Sequence, residues 1–582
     1  MVVTLILLTI GLPWIGALLV WGVGDAKPKM QHFLAVTFSV AAGITAIGLL
    51  PFTSGETVIK LSVGGIFGAF TFNADGLGVF LAVIATVIGS LAVIFSIGYM
   101  KGAHQLGRYY ALMLFFIGGM VGLVLTSNLL LVFCFWEITA LCSYGLIAFH
   151  NDDPKAVAGG LKALVITQLG GIGLMLGAML IYSFSGTLDI NEFLQNPGQM
   201  PANILAITAF GFLAAAAAKS AQFPFQTWLP DAMEAPTPIS ALIHAATMVN
   251  AGVYLLARFY PAFEGVPGWT TAVVIVGCVT ALIAALMAIF ATDLKRVLAY
   301  STVSQLGYMV YAVGTGSIFA SQFHLMSHSV FKALLFLAAG AVIHGVGTRD
   351  MREMGGLGKQ MPFVRNVFII GSLALAGLPI LNGFWSKELI LEGGLLHGPQ
   401  WAYILMVIVA GLTAFYTLRC VVMVFFGEQR SKLYGHDAGT AMKVALVPLA
   451  IGTLTTWLLA GPFAHMLEET LPSHHIHAAS TMGFIQEIIS APATYLAMGV
   501  IALGIMGWIF RSKLGLISKL FGWLKWLSLR SFGFEVINQV VVGISNGLAQ
   551  GLRHTQTGVI GWNILGIIAA AAILLSILVM GA

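Results

Sequence analysis

The chain has 582 residues, of which 59% are hydrophobic and only 8% are charged, and its formal net charge is +5. A soluble globular protein carries about 25% charged residues, so this composition excludes a water-soluble fold and predicts a chain whose solvent is the lipid bilayer. The small positive charge does not indicate a nucleic-acid partner. The apolar runs are about 20 residues long, which suits membrane helices, whereas barrel strands need only about 10. We therefore predict an all-α polytopic membrane protein.

Motifs that hold a cofactor are missing from the sequence. The four cysteines, Cys134, Cys142, Cys278 and Cys420, lie in apolar runs without a Cys-x-x-Cys spacing, which disfavours disulfides and iron–sulfur ligation. Neither a dinucleotide fingerprint between a strand and a helix nor a P-loop occurs, so we expect no cofactor, no metal and no catalytic centre. The first apolar run lacks a basic start and a cleavage site, which predicts a retained span rather than a signal peptide.

Sixteen apolar runs are long enough to be transmembrane helices. They cover residues 2–22, 31–52, 74–98, 110–126, 128–149, 158–184, 203–219, 239–258, 270–291, 297–314, 320–344, 363–394, 401–426, 442–461, 491–510 and 559–580. If successive spans alternate in direction, the loops form two sets, and 21 of the 27 Lys and Arg residues lie in one set. That set comprises residues 23–30, 99–109, 150–162, 292–296, 345–365, 427–443 and 511–558. Lys and Arg mark the cytoplasmic side, so both termini are predicted to face outward.

Two segments outside the spans have patterns of their own. Residues 58–72 alternate partly around a Gly-Gly pair, which predicts a short β-hairpin on the outer side. Residues 511–558 interleave Lys and Arg with Leu, Phe and Trp. This pattern is typical of a helix in the cytoplasmic membrane interface, with Trp523 and Trp526 at headgroup depth. Glycines in the segment argue against one straight helix.

Charged side chains at membrane depth cost about 2.5–3.5 kcal/mol each on insertion scales, so those inside predicted spans need a reason. Glu137 lies mid-span in the sequence FCFWEITA, and Lys219 follows five alanines and precedes Pro224. One hypothesis is a buried ion pair or a lysine that snorkels to the interface. The other is a carboxylate that tunes the proton affinity of a membrane lysine, so that the lysine can bind and release a proton.

Three ionisable residues share one face of a later span. His324, His328 and Lys332 follow one another at intervals of four, which places them on one helical stripe. Histidine titrates near neutrality and can shuttle protons, so the stripe favours a proton relay. The alternative is a metal site, although no cysteine or carboxylate lies at ligand spacing nearby. His244, in an earlier span, is predicted to link Lys219 to this stripe.

A second lysine follows an interrupted helix. Lys387 and Glu388 end the sequence GLPILNGFWSKE, in which Pro379 and Gly383 must break the helix. Broken helices at membrane depth are tolerated where they line a cavity, and transporters use them to face ions. Pro224 beside the earlier lysine gives the same arrangement, which indicates an internal repeat. Adjacent helical positions point about 100° apart, so Glu388 is not automatically the partner of Lys387. The alternative is a loop lysine at the membrane edge.

Charges near the ends of spans are interpreted differently. Asp293, Lys295 and Arg296 are predicted to be orientation charges rather than parts of a pathway, because they lie at the cytoplasmic end of a span. Asp231 and Glu234 are predicted to lie near the cytoplasmic mouth.

Two stretches closely resemble the proton-conducting membrane transporter family, which includes the antiporter-like large subunits of complex I and the A and D subunits of Mrp-type cation/proton antiporters. They are residues 219–244 (KSAQFPFQTWLPDAMEAPTPISALIH) and 292–307 (TDLKRVLAYSTVSQLG). The resemblance extends from about residue 60 to residue 430. It implies two inverted five-helix repeats with broken helices, residues 110–258 and 270–426.

The resemblance also implies roles and boundaries. It implies a glutamate–lysine pair at Glu137 and Lys219, a central relay through His244, His328 and Lys332, and a distal lysine at Lys387. His324 and Glu388 adjoin these residues and complete the candidate pathway. Beside the repeats, the chain then divides into N-terminal helices with the hairpin (1–109), extra helices (427–510), the amphipathic interfacial segment (511–558) and a last transmembrane helix (559–582).

Some positions distinguish the members of this family. Residues 166–173 (ITQLGGIG) and 347–350 (GTRD) look closer to the antiporter A subunit than to complex I. Gly171 stands where complex I subunits often carry aspartate, and Asn250 stands where antiporter A subunits often carry lysine.

The predicted function is that of a proton- or sodium-translocating subunit in a multisubunit complex of a bacterial plasma membrane. Its expected partners are other membrane subunits and the lipid bilayer, in an Mrp-type antiporter or an NADH:quinone oxidoreductase-like translocase. An electron-transfer subunit is a rival that the missing cofactor motifs disfavour. Within the family, the alternative is the membrane proton-conducting partner of an inorganic-carbon uptake system.

Overall fold

Helices make up most of the chain in the computed structural model, which describes residues 1–62, 69–431, 435–513 and 522–553. The chain forms two compact units, Met1–Gly522 and Trp523–Ala582. In chain order, the α-helices are α1 (Val2–Val23), α2 (Pro28–Ile47), α3 (Gly76–Tyr99), α4 (Leu106–Leu125), α5 (Leu129–Ile147), α6 (Pro154–Ser185), α7 (Ile190–Gln195), α8 (Ala202–Lys219), α9 (Trp228–Asp231), α10 (Thr237–Ala241), α11 (Met248–Phe263), α12 (Trp269–Phe290), α13 (Leu294–Gly314), α14 (Ile318–Val346), α15 (Pro362–Ala376), α16 (Asn382–His397), α17 (Gln400–Phe425), α18 (Thr440–Thr455), α19 (Ala460–Thr470), α20 (Thr481–Ser490), α21 (Pro492–Ile509), α22 (Gly522–Leu529) and α23 (Phe534–Arg553).

Thirteen helical segments of the described residues are long and apolar enough to cross a membrane, and each coincides with a predicted span. Of the other predicted spans, residues 297–314 form α13, whose Ser, Thr and Gln residues make it less apolar. Residues 363–394 form α15 and α16 on either side of a break. The last predicted span, residues 559–580, lies outside the described residues. The prediction of an all-α polytopic membrane protein is confirmed, and its count of about sixteen spans is consistent with these helices.

A β-hairpin is present where the alternating sequence predicts one. Strands β1 (Thr57–Ser62) and β2 (Ala69–Asn73) pair antiparallel, and their connecting turn lies outside the described residues. The hairpin packs on the junction between α4 and α5, where Thr126 and Ser127 both donate to the carbonyl oxygen of Thr71, at 2.9 and 3.0 Å. These bonds satisfy backbone groups that a turn between two apolar helices would otherwise leave unpaired.

Three apolar segments are interrupted in the middle. α8 ends at Lys219 and is followed by the irregular residues 220–227. The segment from α10 to α11 contains a π-helical turn, Leu242–Ala246, and Thr247 after it leaves the helical conformation. Residues 377–381 separate α15 from α16. The breaks after α8 and α15 are those that the proline positions predict, and each frees backbone carbonyl groups in the interior.

α14 is enclosed by other helices along most of its length. Nearly all of its side chains from Ile318 to Val342 are buried. It packs against α3, α10, α13, α15, α16 and α18. The predicted stripe of ionisable residues therefore lies in the centre of the first unit rather than against lipid.

The second unit contains the segment predicted to be amphipathic. α22 and α23 are separated by the turn Ser531–Gly533, in which Phe532 has a positive φ of 53°. Trp523 and Trp526 are exposed, as expected of side chains that meet the headgroup region.

The charge pattern makes a testable prediction about topology. In a Cys134→Ser background, which removes the exposed native thiol among the four, a cysteine introduced at Ala26 or Glu353 should react only with a reagent added on the cytoplasmic side. A cysteine at Gln195 should react only from outside. All three positions are exposed, so the side of the membrane, and not burial, decides whether each cysteine reacts. The opposite pattern of labelling would overturn the assignment.

Candidate functional site

Glu137 on α5 and Lys219 on α8 lie close together but do not form an ion pair. The ammonium of Lys219 is fully buried, donates to the carbonyl oxygen of Trp136 at 2.7 Å and lies 4.8 Å from the centre of the Trp136 ring. The carboxylate of Glu137 accepts a hydrogen bond from Gln168 on α6. The two charges interact through space, so the carboxylate can influence the lysine without binding its proton directly.

Gly171 on α6 leaves the room that the Glu137 carboxylate occupies. A Cβ atom at this position would lie 2.7 Å from Oε1 of Glu137, which is closer than atoms can approach. The aspartate that complex I subunits often carry here would therefore require the Glu137 side chain to move.

His244 lies in the π-helical turn between α10 and α11. Its ring is 6.3 Å from that of Trp228 and 5.6 Å from that of Phe336 on α14. Neither ring nitrogen has a hydrogen-bond partner among the described residues. Asn250 ties the break to α14, since its amide donates to the Ala245 carbonyl at 3.0 Å and to the Ser329 hydroxyl at 3.2 Å. A buried imidazole without partners is costly, so its nitrogens are available to a bridging water or a proton.

Lys332 on α14 is also held by neutral groups. Its ammonium donates to the carbonyl oxygen of Leu298 at 2.8 Å and to the hydroxyl of Ser301 at 2.7 Å, both on α13. It also lies 5.0 Å from the centre of the Phe336 ring. Phe336 thus lies close to both His244 and Lys332.

The rest of the stripe leads from Lys332 toward α16. The rings of His328 and His324 are 6.4 Å apart, and His328 has no hydrogen-bond partner in the described part of the chain. His324 binds Ser386 on α16 through Nδ1 at 2.9 Å and Gln305 through Nε2 at 3.1 Å. Both partners can reverse their roles, one by hydroxyl rotation and the other by an amide flip. The site therefore suits both the neutral and the protonated imidazole.

Lys387 stands next to Ser386, at the break between α15 and α16. Its ammonium is buried and donates to the Leu375 carbonyl oxygen at 2.8 Å, a group near the end of α15 with no partner along that helix. Glu388 is 1% exposed, and neither carboxylate oxygen has a hydrogen-bond partner among the described residues. As adjacent helical positions require, Lys387 and Glu388 do not bind each other directly.

The structure thus brings the eight predicted residues into three groups. Glu137 and Lys219 form one group, His244 adjoins the α14 stripe of His324, His328 and Lys332, and Lys387 with Glu388 follows at the second break. Lys219 and His244 are not in contact, although the loop after α8 leads from one to the other. With respect to metals, the described residues contain no cluster of three His, Cys, Asp or Glu side chains at ligating positions.

Lys295, which the sequence predicts to be an orientation charge at a span end, lies in the interior of the fold. It is only 4% exposed, and its ammonium donates to the carbonyl oxygens of Met233 and Ala235, at 2.7 and 2.5 Å. The first turn of α13 is tucked under the proline-rich loop before α10, which buries the side chain. Lys295 also lies within electrostatic range of His244. Its sequence position at a span end gave no sign of this burial.

The charges around Lys295 form a cluster at the predicted cytoplasmic mouth. Arg349 donates two hydrogen bonds to Glu234, at 2.7 and 2.8 Å, and its Nε lies 2.7 Å from Asp293. Asp231 pairs with Lys162 at 2.7 Å. Burial alone would raise the pKa of Glu234, but the hydrogen bonds and charge of Arg349 lower it overall. Glu234 is therefore ionised at neutral pH. The predicted mouth thus contains two carboxylates, Glu234 and Asp231, that are each paired with a basic side chain.

A buried ion pair that the sequence did not reveal joins α3 to α11. The guanidinium of Arg258 donates to both carboxylate oxygens of Asp75, at 2.6 and 2.8 Å, and both side chains are buried. Asp75 also caps α3 by accepting from the Gly78 amide and accepts from Asn73 at the end of the hairpin. The sign of this pair in the sequence was Arg258 itself, which lies at the edge of the loop set that contains almost no Lys or Arg.

Replacing Arg258 by methionine should destabilise the protein strongly. Asp75 would be left buried without its counter-charge, and breaking such a pair costs about 3–5 kcal/mol. The measurement is thermal unfolding of the purified protein in detergent. Arg352→Met is the matched control, because Arg352 pairs with Asp350 at 2.6 Å on an exposed surface and contributes little there. Equal melting of both variants would show that the buried pair adds nothing.

The geometry of these buried side chains defines a class of protein. Buried lysines beside interrupted helices in a multi-span fold are typical of membrane ion transporters, which use unwound segments to face their ions. Residues 126–413 match the sequence family described as NADH:quinone oxidoreductase/Mrp antiporter, transmembrane region. Residues 61–110 match the family of the N-terminus of complex I chain 5.

Individual relatives agree with these matches. The chain is 34% identical to NADH-quinone oxidoreductase subunit L of Escherichia coli, over 98% of this chain and 99% of that protein. It is 44% identical to NAD(P)H-quinone oxidoreductase chain 5 of Synechocystis, over 66% of this chain and 59% of that one. The structure resembles a chain of the Mrp complex from Dietzia, with a TM-score of 0.84, 28% identity and coverage of 100% of this chain and 63% of that one.

The chain belongs to the family of antiporter-like membrane subunits shared by complex I and the Mrp antiporters, as its motifs predicted. It is a multi-pass integral membrane protein and a subunit of the ion-translocating type found in multisubunit membrane complexes, and its bacterial relatives agree with a location in a bacterial plasma membrane. These relatives favour the predicted transport subunit over the inorganic-carbon alternative.

Proposed function

We propose that this chain carries protons across the membrane along its buried ionisable residues, as a subunit of a larger membrane complex. One observation supports the proposal above all. The three buried lysines of the predicted pathway, Lys219, Lys332 and Lys387, each donate to a backbone carbonyl and none to a carboxylate. A lysine bound to a neutral dipole can lose its proton without leaving a stranded anion beside it, so both charge states are accessible.

The proposed order of transfer follows the chain of contacts. A proton passes from Lys219, tuned by Glu137, through His244 to Lys332, and then along His328 and His324 to Lys387. The ring nitrogens of His244 and His328 have no partner among the residues that the structure describes, and buried polar groups of this kind are usually satisfied by water. Water-bridged imidazoles can accept a proton on one nitrogen and release it from the other.

The repeat organisation is part of the same proposal. Residues 110–258 and 270–426 would be two inverted repeats, and each contains a lysine close to a break. Lys219 is the last residue of α8, before the first break, and Lys387 lies in α16, after the break that follows α15. α14 supplies the link between them, because its side chains contact elements of both segments. Two half-pathways joined at a central helix would let one half bind a proton while the other half releases one.

The chemistry of the pathway favours protons over sodium ions. Sodium is bound by oxygen ligands, as other hard cations are, whereas the interior sites contain ammonium and imidazole nitrogens. Other membrane subunits are the proposed partners. Glu137 is only partly buried in this chain, and a carboxylate that faces lipid is costly, so a neighbouring subunit would cover it.

The test is ion flux through the assembled complex reconstituted in vesicles. With a potassium diffusion potential imposed in sodium-free buffer, a pH dye should report proton movement that stops when the potential is removed. The control is Lys359→Ala, an exposed residue outside the pathway, which should move protons as wild type does. Flux that requires sodium, with no proton movement in its absence, would contradict the proposal.

Lys387→Ala should abolish this flux. The alanine variant removes the ammonium that donates to the freed Leu375 carbonyl. Each charge that crosses the membrane gains or loses about 2.3 kcal/mol per 100 mV. Lys387→Glu keeps an ionisable group and should retain part of the flux. The measurement is proton flux at fixed potential in vesicles that contain equal amounts of assembled complex. Wild-type flux in the alanine variant would make Lys387 a boundary lysine.

A further inference from the structure

α16 carries a second carboxylate one turn beyond Glu388. Glu392 follows Glu388 by four residues, so the two side chains share a face of the helix, about 6 Å apart along its axis. The two carboxyl groups are close enough to interact electrostatically. Glu392 is partly exposed, whereas Glu388 is buried. The face therefore leads from the interior beside Lys387 toward the end of α16 that the charge pattern assigns to the outside.

Glu388 is the buried end of this series, and the side chain of Thr494 on α21 lies near its carboxylate. Both carboxylate oxygens are without a hydrogen bond among the described residues, and the side chain is 1% exposed. Its other titratable neighbours are Lys387, Tyr308 and Tyr403. Burial of an unpartnered carboxylate is costly, so this group needs either a proton or a hydrated path.

α20 supplies the outer end of the series. α20 packs against α16, and Glu487 on α20 lies within electrostatic range of Glu392. Oε1 of Glu487 is 3.3 Å from Nε2 of His477. The side chain of Glu487 is 40% exposed and that of His477 is 74% exposed. Phe484 holds α20 in place, since its ring stacks 4.8 Å from that of Phe319 at the start of α14. Exposure thus increases from Glu388 through Glu392 and Glu487 to His477.

We propose that Glu388, Glu392 and Glu487, with His477 at the surface, form the route by which protons released by Lys387 reach the outer side. The inference rests on the proposed function and adds its outer exit. Each member can hold one proton. Glu388 and Glu392 are one helical turn apart, and Glu487 lies 3.3 Å from His477. Transfer proceeds from Lys387 to Glu388, outward to Glu392 and across to Glu487, with each proton passing from an acid to the next carboxylate.

The test uses the double variant Glu392→Gln/Glu487→Gln in the assembled complex. Both side chains keep their size, and recovery of intact complex should be unchanged. Proton flux should fall at least about tenfold, since a positioned proton-transfer group contributes about 10²–10⁴-fold. Formate or azide, added only on the outer side, should restore the flux, because a small weak acid can replace the missing carriers. The matched control is Glu468→Gln, an exposed glutamate of α19 that pairs with His465 at 3.6 Å, and it should leave the flux unchanged.

Two outcomes would overturn the inference. They are wild-type flux in the double variant, and a loss of flux that outer formate or azide does not restore, since a structural defect cannot be rescued in that way. The parallel Lys387→Ala variant separates the levels of the argument. If Lys387→Ala blocks transport while the double variant conducts normally, only the exit route is wrong. If Lys387→Ala itself conducts normally, the proposed function is wrong as well.

Discussion

Replacing Lys219 by alanine is expected to remove nearly all proton flux through the assembled complex. Lys219 supplies the buried ammonium at the end of α8, and alanine would remove its contacts with the Trp136 carbonyl oxygen and ring. Proton transfer by a positioned group contributes about 10²–10⁴-fold, and a gap in a serial path is not bypassed. The measurement is dye-reported flux in vesicles at fixed potential, normalised to the amount of complex.

Glu137→Gln tests the partner of this lysine. Glutamine has nearly the same shape and can still accept from Gln168, so assembly should be preserved, whereas the charge that acts on Lys219 is lost. We expect most of the flux to disappear here too. Lys359→Ala is the control for both variants. Normal assembly and normal transport in both would show that the pair is only structural.

Much of the architecture could be predicted because it follows from local patterns. Hydropathy locates the spans, Pro224 and Pro379 locate two of the breaks, and alternation around Gly-Gly locates the hairpin. The intervals of four along α14 placed three ionisable residues on one stripe, and that stripe lies in the centre of the fold. Periodicity and proline chemistry act within a few residues, so they can be deduced without knowledge of tertiary packing.

Long-range pairing could not be predicted in the same way. Asp75 and Arg258 are 183 residues apart, and no periodicity connects them. Lys295 was predicted to be an orientation charge because it follows a span end, but the packing of a loop over α13 buries it. The acceptor of Lys387 is also a tertiary feature, since the direction of the Leu375 carbonyl depends on the backbone path through residues 377–381, where Ile380 has a φ of 79°.

The double variant His328→Ala/Lys332→Ala is expected to stop transport as completely as the loss of Lys219. Lys332 is held by the Leu298 carbonyl and the Ser301 hydroxyl, and His328 separates it from His324 along α14. Without both residues, the proposed path has no carrier between His244 and His324, and each missing residue accounts for about 6 Å along the helix axis. Alanine preserves the helix, so the variant should still assemble.

Proton flux through vesicles that contain this double variant, at fixed potential and equal complex content, tests the central claim most directly. A serial path along α14 predicts flux at the level of empty vesicles, while Lys359→Ala conducts as wild type. Flux at the wild-type level in the double variant would show that protons cross elsewhere and would contradict the account.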